Sequence, residues 1–457
     1  MTSTNRKLFG TDGIRGVANV HPMTGEIAMA LGRALTVIAR KASGRKAPKI
    51  VIGKDTRRSG YMLETAITSG ICSMGGDVLL VGPMPTPGIS FITSSMRADA
   101  GVVISASHNP YEDNGIKLFG ADGFKFPDEL EADIEALMEN GGFGTRKPAT
   151  GAGVGRTRRI DDAQGRYIVE LKHTFPKKLS LDNVKMVVDC ANGAAYKIAP
   201  AVFSELGATI KTLGVTPNGR NINHKCGSLY PDLAAKEVVK QGAQIGITLD
   251  GDADRLILID EKGQTVDGDV VMAMCASRMI ADRTLAKKTL VTTVMSNIGL
   301  DKAINNMGGK IVRTAVGDRY IVEKMRQRGY NFGGEQSGHL IFLDHSTTGD
   351  GTLAALQVLS TMIKEDKPLS ELAKGTMDRV PQALSSFKVP QKKPLSTLSK
   401  VQKLITSIEK KLGDSGRVLV RYSGTEAKAR VLVEGPNQTK IDKFAADIQE
   451  ALIKELS

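Results

Sequence analysis

Tryptophan is absent, and aromatic residues make up only 4% of the chain's 457 residues. Single-stranded nucleic-acid binders offer aromatic platforms on which bases stack, so the composition argues against that class. No apolar run approaches the ~18 residues of a membrane-spanning helix, and the opening "MTSTNRKLFG" lacks the apolar stretch of a secretory leader. Cysteine is scarce too. Cys72, Cys190, Cys226 and Cys275 stand far apart and form no C-x-x-C pair, which argues against disulfides and fits a reducing compartment. Basic clusters are short, as in "RKAPK" and "QKKP", so neither a basic tail nor a DNA-binding stripe is present. A soluble cytoplasmic protein is expected, with no nucleic acid and no membrane as partner.

Apolar residues make up 41% of the chain, enough for a sizeable core. The length suggests about three domains. The formal charge of +13 fits a lysine-rich solvated surface or a basic cleft for an anionic substrate. One pattern recurs three times: a β-branched strand, a polar loop, a helix, a glycine turn and another strand. The copies begin at "KIVIGKDTRRSG", "VKMVVDCANGAAY" and "TLVTTVMSNIG". Each is followed by a further strand that ends in polar residues, "GVVISASHNP", "AQIGITLDGDADR" and "YNFGGEQSGH". Strands alternating with helices predict α/β layers, and ligand sites in open α/β sheets favour strand ends.

The tail differs. A Pro- and Lys-containing stretch, "VPQALSSFKVPQKKPLS", reads as a flexible junction. A helix near 398–412, two strands and an amphipathic helix carrying Ile441, Phe444, Ile448 and Leu452 follow. The expected fold is α/β: three similar α/β domains, 1–158, 159–264 and 265–378, plus a smaller C-terminal α+β domain at 379–457.

In "TLDGDADRLILID" the carboxylates of Asp250, Asp252 and Asp254 alternate, and an extended backbone would point all three the same way. Such a cluster repels itself unless a cation joins it, and an oxygen-only set suits Mg²⁺ or Ca²⁺. An EF-hand is excluded because Arg255 stands where its glycine must be. In "VRYSGTEAKAR", Arg421 precedes a tight turn of Ser423, Gly424 and Thr425. Backbone N–H groups, hydroxyls and a guanidinium fork suit a phosphate. "GGEQSGHL" places Glu335, Ser337 and His339 in a glycine-rich loop, and "GTDGIRG" supplies Arg15. In "SASHNPYEDNGIK", Ser107 ends an apolar strand beside His108 and ahead of Lys117. A serine hydrolase is disfavoured: neighbouring residues rarely form the needed Ser–His hydrogen bond, and no G-x-S-x-G elbow is present. A serine that carries a phosphoryl group gives the metal, Lys117 and the anion clamp each a task.

"SASHNP", "DGDADR", "GEQSGH" and "RYSGTE", in this order, resemble the α-D-phosphohexomutase superfamily over essentially the whole chain. "GTDGIRG", "GKDTRRSG" and Gln336 are similar to its branch acting on glucosamine phosphates, whereas the phosphomannomutase/phosphoglucomutase branch usually has Met at the position of Gln336. The resemblance implies four domains around a central cleft and interconversion of glucosamine 6-phosphate and glucosamine 1-phosphate. A sugar 1,6-bisphosphate would be both intermediate and activator, and the product would feed UDP-N-acetylglucosamine and cell-wall synthesis. It implies a phosphoserine at Ser107 and one Mg²⁺ per chain on that phosphate and Asp250, Asp252 and Asp254. Lys117, Arg15 and His339 would be catalytic, Glu335 and Ser337 would hold sugar hydroxyls, and Arg421, Ser423, Gly424 and Thr425 the substrate phosphate. Many relatives have proline where this chain has Tyr422 and Ala427. The partner is a small phosphosugar, with a homodimer left open. Two rivals stand beside this reading: a mannose or glucose phosphate mutase, and a non-catalytic phosphosugar sensor.

Overall fold

A computed structural model of the chain describes residues 7–139, 146–422 and 427–456. Its first sheet contains β1 (Ile14–Val17), β2 (Lys49–Lys54), β3 (Asp77–Pro83), β4 (Ala100–Ile104), β5 (Asp113–Gly120) and β6 (Thr157–Arg159), in the order β1-β5-β4-β2-β3-β6. Strand β2 runs parallel to β3 and β4, and β5 returns antiparallel to β4. Both β2 and β4 are almost wholly buried, which is why they read as unbroken apolar runs instead of alternating ones. Four helices accompany the sheet: α1 (Gly25–Ser43), α2 (Ser59–Ser73), α3 (Thr86–Ser95) and α4 (Asp128–Glu139). Thr24 caps α1 by accepting a hydrogen bond from the Ile27 N–H, and Gly44, at φ 69°, ends it. Helices α1 and α2 cross closely because Gly32 and Gly70 lack side chains. A Cβ on either would fall within 2.4 Å of the other helix's backbone.

The second sheet, in the order β11-β10-β9-β7-β8, contains β7 (Lys185–Asp189), β8 (Thr209–Leu213), β9 (Ile245–Leu249), β10 (Leu256–Asp260) and β11 (Thr265–Val266). Helices α5 (Ala163–His173), α6 (Ile198–Glu205) and α7 (Asp232–Gln241) belong to this part of the chain. The third sheet, β13-β12-β14-β15, contains β12 (Thr289–Thr293), β13 (Lys310–Thr314), β14 (Phe332–Gly334) and β15 (Leu340–Phe342). Around it in sequence are α8 (Gly268–Ala281), α9 (Ile298–Asn306), α10 (Asp318–Arg328), α11 (Gly351–Glu365) and α12 (Leu369–Thr376).

One device is common to the three sheets. A parallel core ends in an antiparallel hairpin: β4 with β5, β9 with β10 and β14 with β15. The polar motifs "SASHNP", "DGDADR" and "GEQSGH" occupy the connections of these hairpins.

The tail contains β16 (Gln382–Lys388), α13 (Ser399–Leu412), β17 (Arg417–Tyr422), β18 (Lys428–Glu434) and α14 (Gln438–Leu456), with sheet order β16-β18-β17. The stretch expected to be a flexible junction is therefore corrected at residues 382–388, where all seven pair with β18. Its Ala383, Ser385 and Phe387 alternate with more exposed neighbours, a strand pattern hidden between two prolines. Ile441, Ile448 and Leu452 are buried on α14, and Phe444 packs against the same core.

The chain divides into two compact units, Met1–Val294 with Ile311–Thr376, and Met295–Lys310 with Met377–Ser457. Helix α9 thus belongs with the tail. In this second unit Asn297 donates to the Val380 carbonyl at 2.8 Å and accepts from its N–H at 3.1 Å. Glu434, fully buried, accepts from the Arg417 guanidinium, from Gln382 Nε2 at 2.5 Å and from the Ile298 N–H at 3.3 Å. Removing one partner of a buried ion pair costs about 3 kcal/mol or more. Glu434→Ala is expected to destabilise this unit by that amount, read as faster hydrogen exchange across β16–β18. Unchanged exchange there would show that Glu434 does not tie the unit together.

Candidate active site

Ser107 closes the turn after β4. It is 1% exposed and adopts φ 51°, in the left-handed region that serine seldom occupies. Its Oγ donates to Asp250 Oδ2 at 2.5 Å. The left-handed turn also folds His108 back, so that its Nδ1 lies 3.3 Å from Ser107 Oγ. This contact between neighbours, disfavoured from the sequence, does exist. It does not make a hydrolase dyad. Burial, then Arg255 and Arg15, pull the imidazole down to about 4, leaving it a weak base.

Asp250, Asp252 and Asp254 are all buried, and ligand oxygens from the three lie within 4.8 Å of one another. The convergence is as expected, but its cause is not a pleated strand. The loop curls into a turn, with the Ala253 N–H bonded to the Asp250 carbonyl and Ala253 itself at φ 57°. Asp252 Oδ2 accepts from Thr86 Oγ1 at 2.6 Å and from Lys117 Nζ at 3.0 Å. Asp252 Oδ1 and Asp254 Oδ1 are buried and make no hydrogen bond. Asp254 Oδ1 has only the longer contacts to His339 Nδ1 at 3.6 Å and Arg255 Nε at 3.9 Å, and such an oxygen-only set fits a hard divalent cation.

Cations surround the cluster. Lys117, on β5, lies 3.0 Å from Asp252, 3.5 Å from Asp254 and 3.2 Å from Asp12. Burial opposes its charge, but Asp12, Asp252 and Asp254 outweigh burial and keep it a firm cation. Burial would likewise raise Asp254, yet Lys117 and then His339 hold it well below the usual carboxylate range. Asp250 has weaker help, from Arg255 and the Ser107 hydroxyl. Burial first, then Asp254 and Asp252, push it well above that range. Arg15, on β1, pairs with Asp12 and reaches the Ala106 carbonyl at 3.5 Å.

His339, 3% exposed, comes from the third hairpin. Its Nδ1 lies 3.6 Å from Asp254 and its Nε2 3.4 Å from Asp318. In the neutral ring the Gly349 N–H donates to Nε2 at 3.1 Å, which leaves the proton on Nδ1 beside Asp254. Glu335 is half-buried and accepts from the Gly317 N–H at 3.1 Å, while Ser337 is exposed. Ser107, Lys117, Arg15, His339 and the Asp triad are thus linked by short contacts in one compact unit. Arg421 lies on β17 of the other unit, opposite Arg430. Ser423, Gly424 and Thr425 lie outside the described residues.

The phosphoglucomutase/phosphomannomutase family matches the chain in four parts: alpha/beta/alpha domains I, II and III over residues 6–145, 165–263 and 267–380, and the C-terminal domain over 384–451. A phosphoglucosamine mutase of Myxococcus xanthus (strain DK1622) is 61% identical over 453 residues, covering 99% of this chain and 98% of its own. The chain belongs to the phosphoglucosamine mutase branch of that family. The fold is shared with a phosphoglucomutase/phosphomannomutase family protein of Burkholderia thailandensis, at TM-score 0.82 and 23% identity over 100% of this chain and 98% of that one. It is shared too with Aspergillus fumigatus N-acetylphosphoglucosamine mutase, solved with GlcNAc-6P and magnesium, at TM-score 0.65 and 17% identity over 100% and 97%.

Several site residues were not singled out from the sequence. Asp12 links Arg15, Lys117 and Lys125, and Lys125 reaches Asp318 at 2.6 Å. Thr86, at the start of α3, bonds Asp252 through both side chain and backbone. Arg57 and Asn223 donate to carbonyls on either side of His108. Asp12 and Arg57 lie inside quoted motifs, but Thr86, Lys125, Asn223 and Asp318 carry no local signal. Asp252→Asn and Asp254→Asn each remove a charged oxygen and are expected to weaken Mg²⁺ binding by about tenfold or more, ~1.4 kcal/mol. Titration calorimetry would read this directly, and affinity in both variants unchanged from that of the unsubstituted chain would rule the triad out as the metal site.

Proposed function

We propose that the chain interconverts glucosamine 6-phosphate and glucosamine 1-phosphate through a phosphoserine at Ser107 and a sugar 1,6-bisphosphate. The observation that carries this reading is Ser107 Oγ at 2.5 Å from a buried carboxylate triad in which Asp252 Oδ1 and Asp254 Oδ1 make no hydrogen bond. A close relative named phosphoglucosamine mutase supports the substrate. Phospho-Ser107 gives its phosphoryl group to the free hydroxyl of the bound sugar phosphate. The bisphosphate turns end for end, and its other phosphate returns to Ser107.

Asp250, Asp252 and Asp254 would hold one Mg²⁺ beside the Ser107 phosphate, where the ion would offset charge on the phosphoryl oxygens. Lys117 stays cationic, which suits charge stabilisation better than proton removal. Arg15 adds positive charge on the same side of Asp12. His339, between Asp254 and Asp318, is assigned to proton handling. Glu335 and Ser337, in the less buried part of the third hairpin's connection, are assigned to sugar hydroxyls. Arg421, Ser423, Gly424 and Thr425 are assigned to the phosphate that is not reacting. Cytoplasmic supply of UDP-N-acetylglucosamine for cell-wall synthesis would follow. Phosphomannomutase or phosphoglucomutase activity is the alternative. Relative turnover of glucosamine, mannose and glucose phosphates decides between them.

Ser107→Ala is expected to lose at least about a thousandfold in rate, ~4 kcal/mol of barrier, and intact-mass analysis of active enzyme should find phosphate on Ser107. A fully active variant would refute the carrier role. Arg421→Ala tests retention of the intermediate. Charge-assisted hydrogen bonds contribute roughly 1.5–3 kcal/mol each, so bisphosphate should escape about ten- to a hundredfold faster. The variant should then need added sugar 1,6-bisphosphate to keep turning over. Sustained turnover with Ser107 still phosphorylated, without the additive, would count against the clamp.

A further inference from the structure

Ser107 is held in an unfavourable backbone conformation: Ser105 Oγ of its own loop accepts its N–H at 2.9 Å, and the residues that hold its carbonyl come from outside the loop. Asn223 Nδ2 donates to the Ser107 carbonyl at 2.9 Å and to the Asn109 carbonyl at 3.0 Å. Arg57 Nη2 donates to the same two carbonyls at 3.1 and 2.6 Å. Two side chains thus grip the backbone on both sides of His108. Arg57 is fully buried, and Asp55 balances its charge. Asn223 follows β8 and is itself at φ 58°, a conformation that Asn tolerates better than most residues. Its own N–H bonds the Ala191 carbonyl at 2.9 Å, which fixes it to the second sheet's loops. The metal loop closes against the same point. A Cβ on Gly251 would fall 2.5 Å from the Ser107 carbonyl oxygen and 2.9 Å from Asn223 Nδ2.

We propose that Asn223, together with Arg57, is a positioning residue for phosphoryl transfer: it locks the Ser107 carbonyl so that Oγ stays aimed at the Asp triad. The physical reason is backbone rotation. Left-handed serine relaxes toward the ordinary β or right-handed regions when nothing opposes it. Rotation about the Ser107 backbone would swing the carbonyl off its donors and carry Oγ away from Asp250. A donor anchored in the second domain's part of the chain makes the serine's aim depend on that domain being docked. The grip falls on main-chain oxygens and so is separate from the contacts that Oγ itself makes with Asp250 and His108. The inference rests on Ser107 being the phosphoryl carrier.

Asn223→Gly tests it with least disturbance, since glycine keeps the φ > 0 freedom and removes only the amide. Hydrogen exchange in the segment 101–113 should rise about tenfold or more, with exchange elsewhere in the two sheets unchanged. With glucosamine 6-phosphate, kcat should fall about ten- to a hundredfold at little-changed KM. Asn223→Asp keeps the shape but replaces the donating NH₂ by an acceptor, and should reproduce both effects if the glycine variant folds poorly. Local exchange and kcat both within threefold of the unsubstituted chain overturn the proposal, as does a loss of protection spread evenly over the first unit, which marks general destabilisation. Faster local exchange in a chain whose unsubstituted form turns over no glucosamine phosphate supports the positioning and counts against the substrate assignment alone.

Discussion

Three carboxylates crowded out of water repel one another, and the arrangement around Asp250, Asp252 and Asp254 follows from how that repulsion is offset. Lys117 sits against two of them, and His339 stands beside Asp254. Asp12 then holds Lys117, Arg15 and Lys125, and Asp318 joins Lys125 to His339. The result is an alternating network of charges in which each sign is met by the other. Asp250 is the member left least compensated, and it is the one that Ser107 faces. Charge in a buried site is costly unless paired, so three buried carboxylates need such a surround.

The scaffold delivers these groups by repetition. Each α/β sheet ends its parallel core with an antiparallel return, and the return's connection carries one motif. The serine, the Asp triad and the histidine loop therefore come from equivalent places on three sheets. Strand β5 does more than close a hairpin. Because it pairs with β4 on one side and β1 on the other, Lys117 and Arg15 rise on adjacent strands of one sheet. The Arg255–His339 bridge joins the second hairpin to the third, and the Thr86 hydroxyl joins α3 to the Asp loop.

The tail is built by other means. Its three strands are all antiparallel, and α13 and α14 pack on them around Val401, Ile408, Ile448 and Leu452. It also incorporates α9 from the third repeat. A helix that the repeat pattern assigns to one sheet thus falls in the other compact unit. Its capping residue Asn297 is bonded to Val380, and Glu434 accepts from the Ile298 N–H.

The sequence alone was enough to read the threefold strand–helix recurrence, the separate tail and the residue types of the site. Buried parallel strands leave apolar runs, hairpin connections leave glycine and polar residues, and a metal leaves a carboxylate cluster. Those signals are local. What the chain could not announce was pairing between distant residues. Nothing near Asn223 marks it as a partner of a serine 116 positions earlier, and nothing near Thr86 or Lys125 marks them as ligands of Asp252 and Asp318. The curl of the Asp loop was also hidden, since Ala253 is an unremarkable letter whose positive φ appears only once Asp250 and Arg255 are bonded across it. Strand β16 was masked by its flanking prolines until β18 supplied its hydrogen bonds. Tertiary structure decided these points because each depends on a contact energy between segments, which no single segment contains.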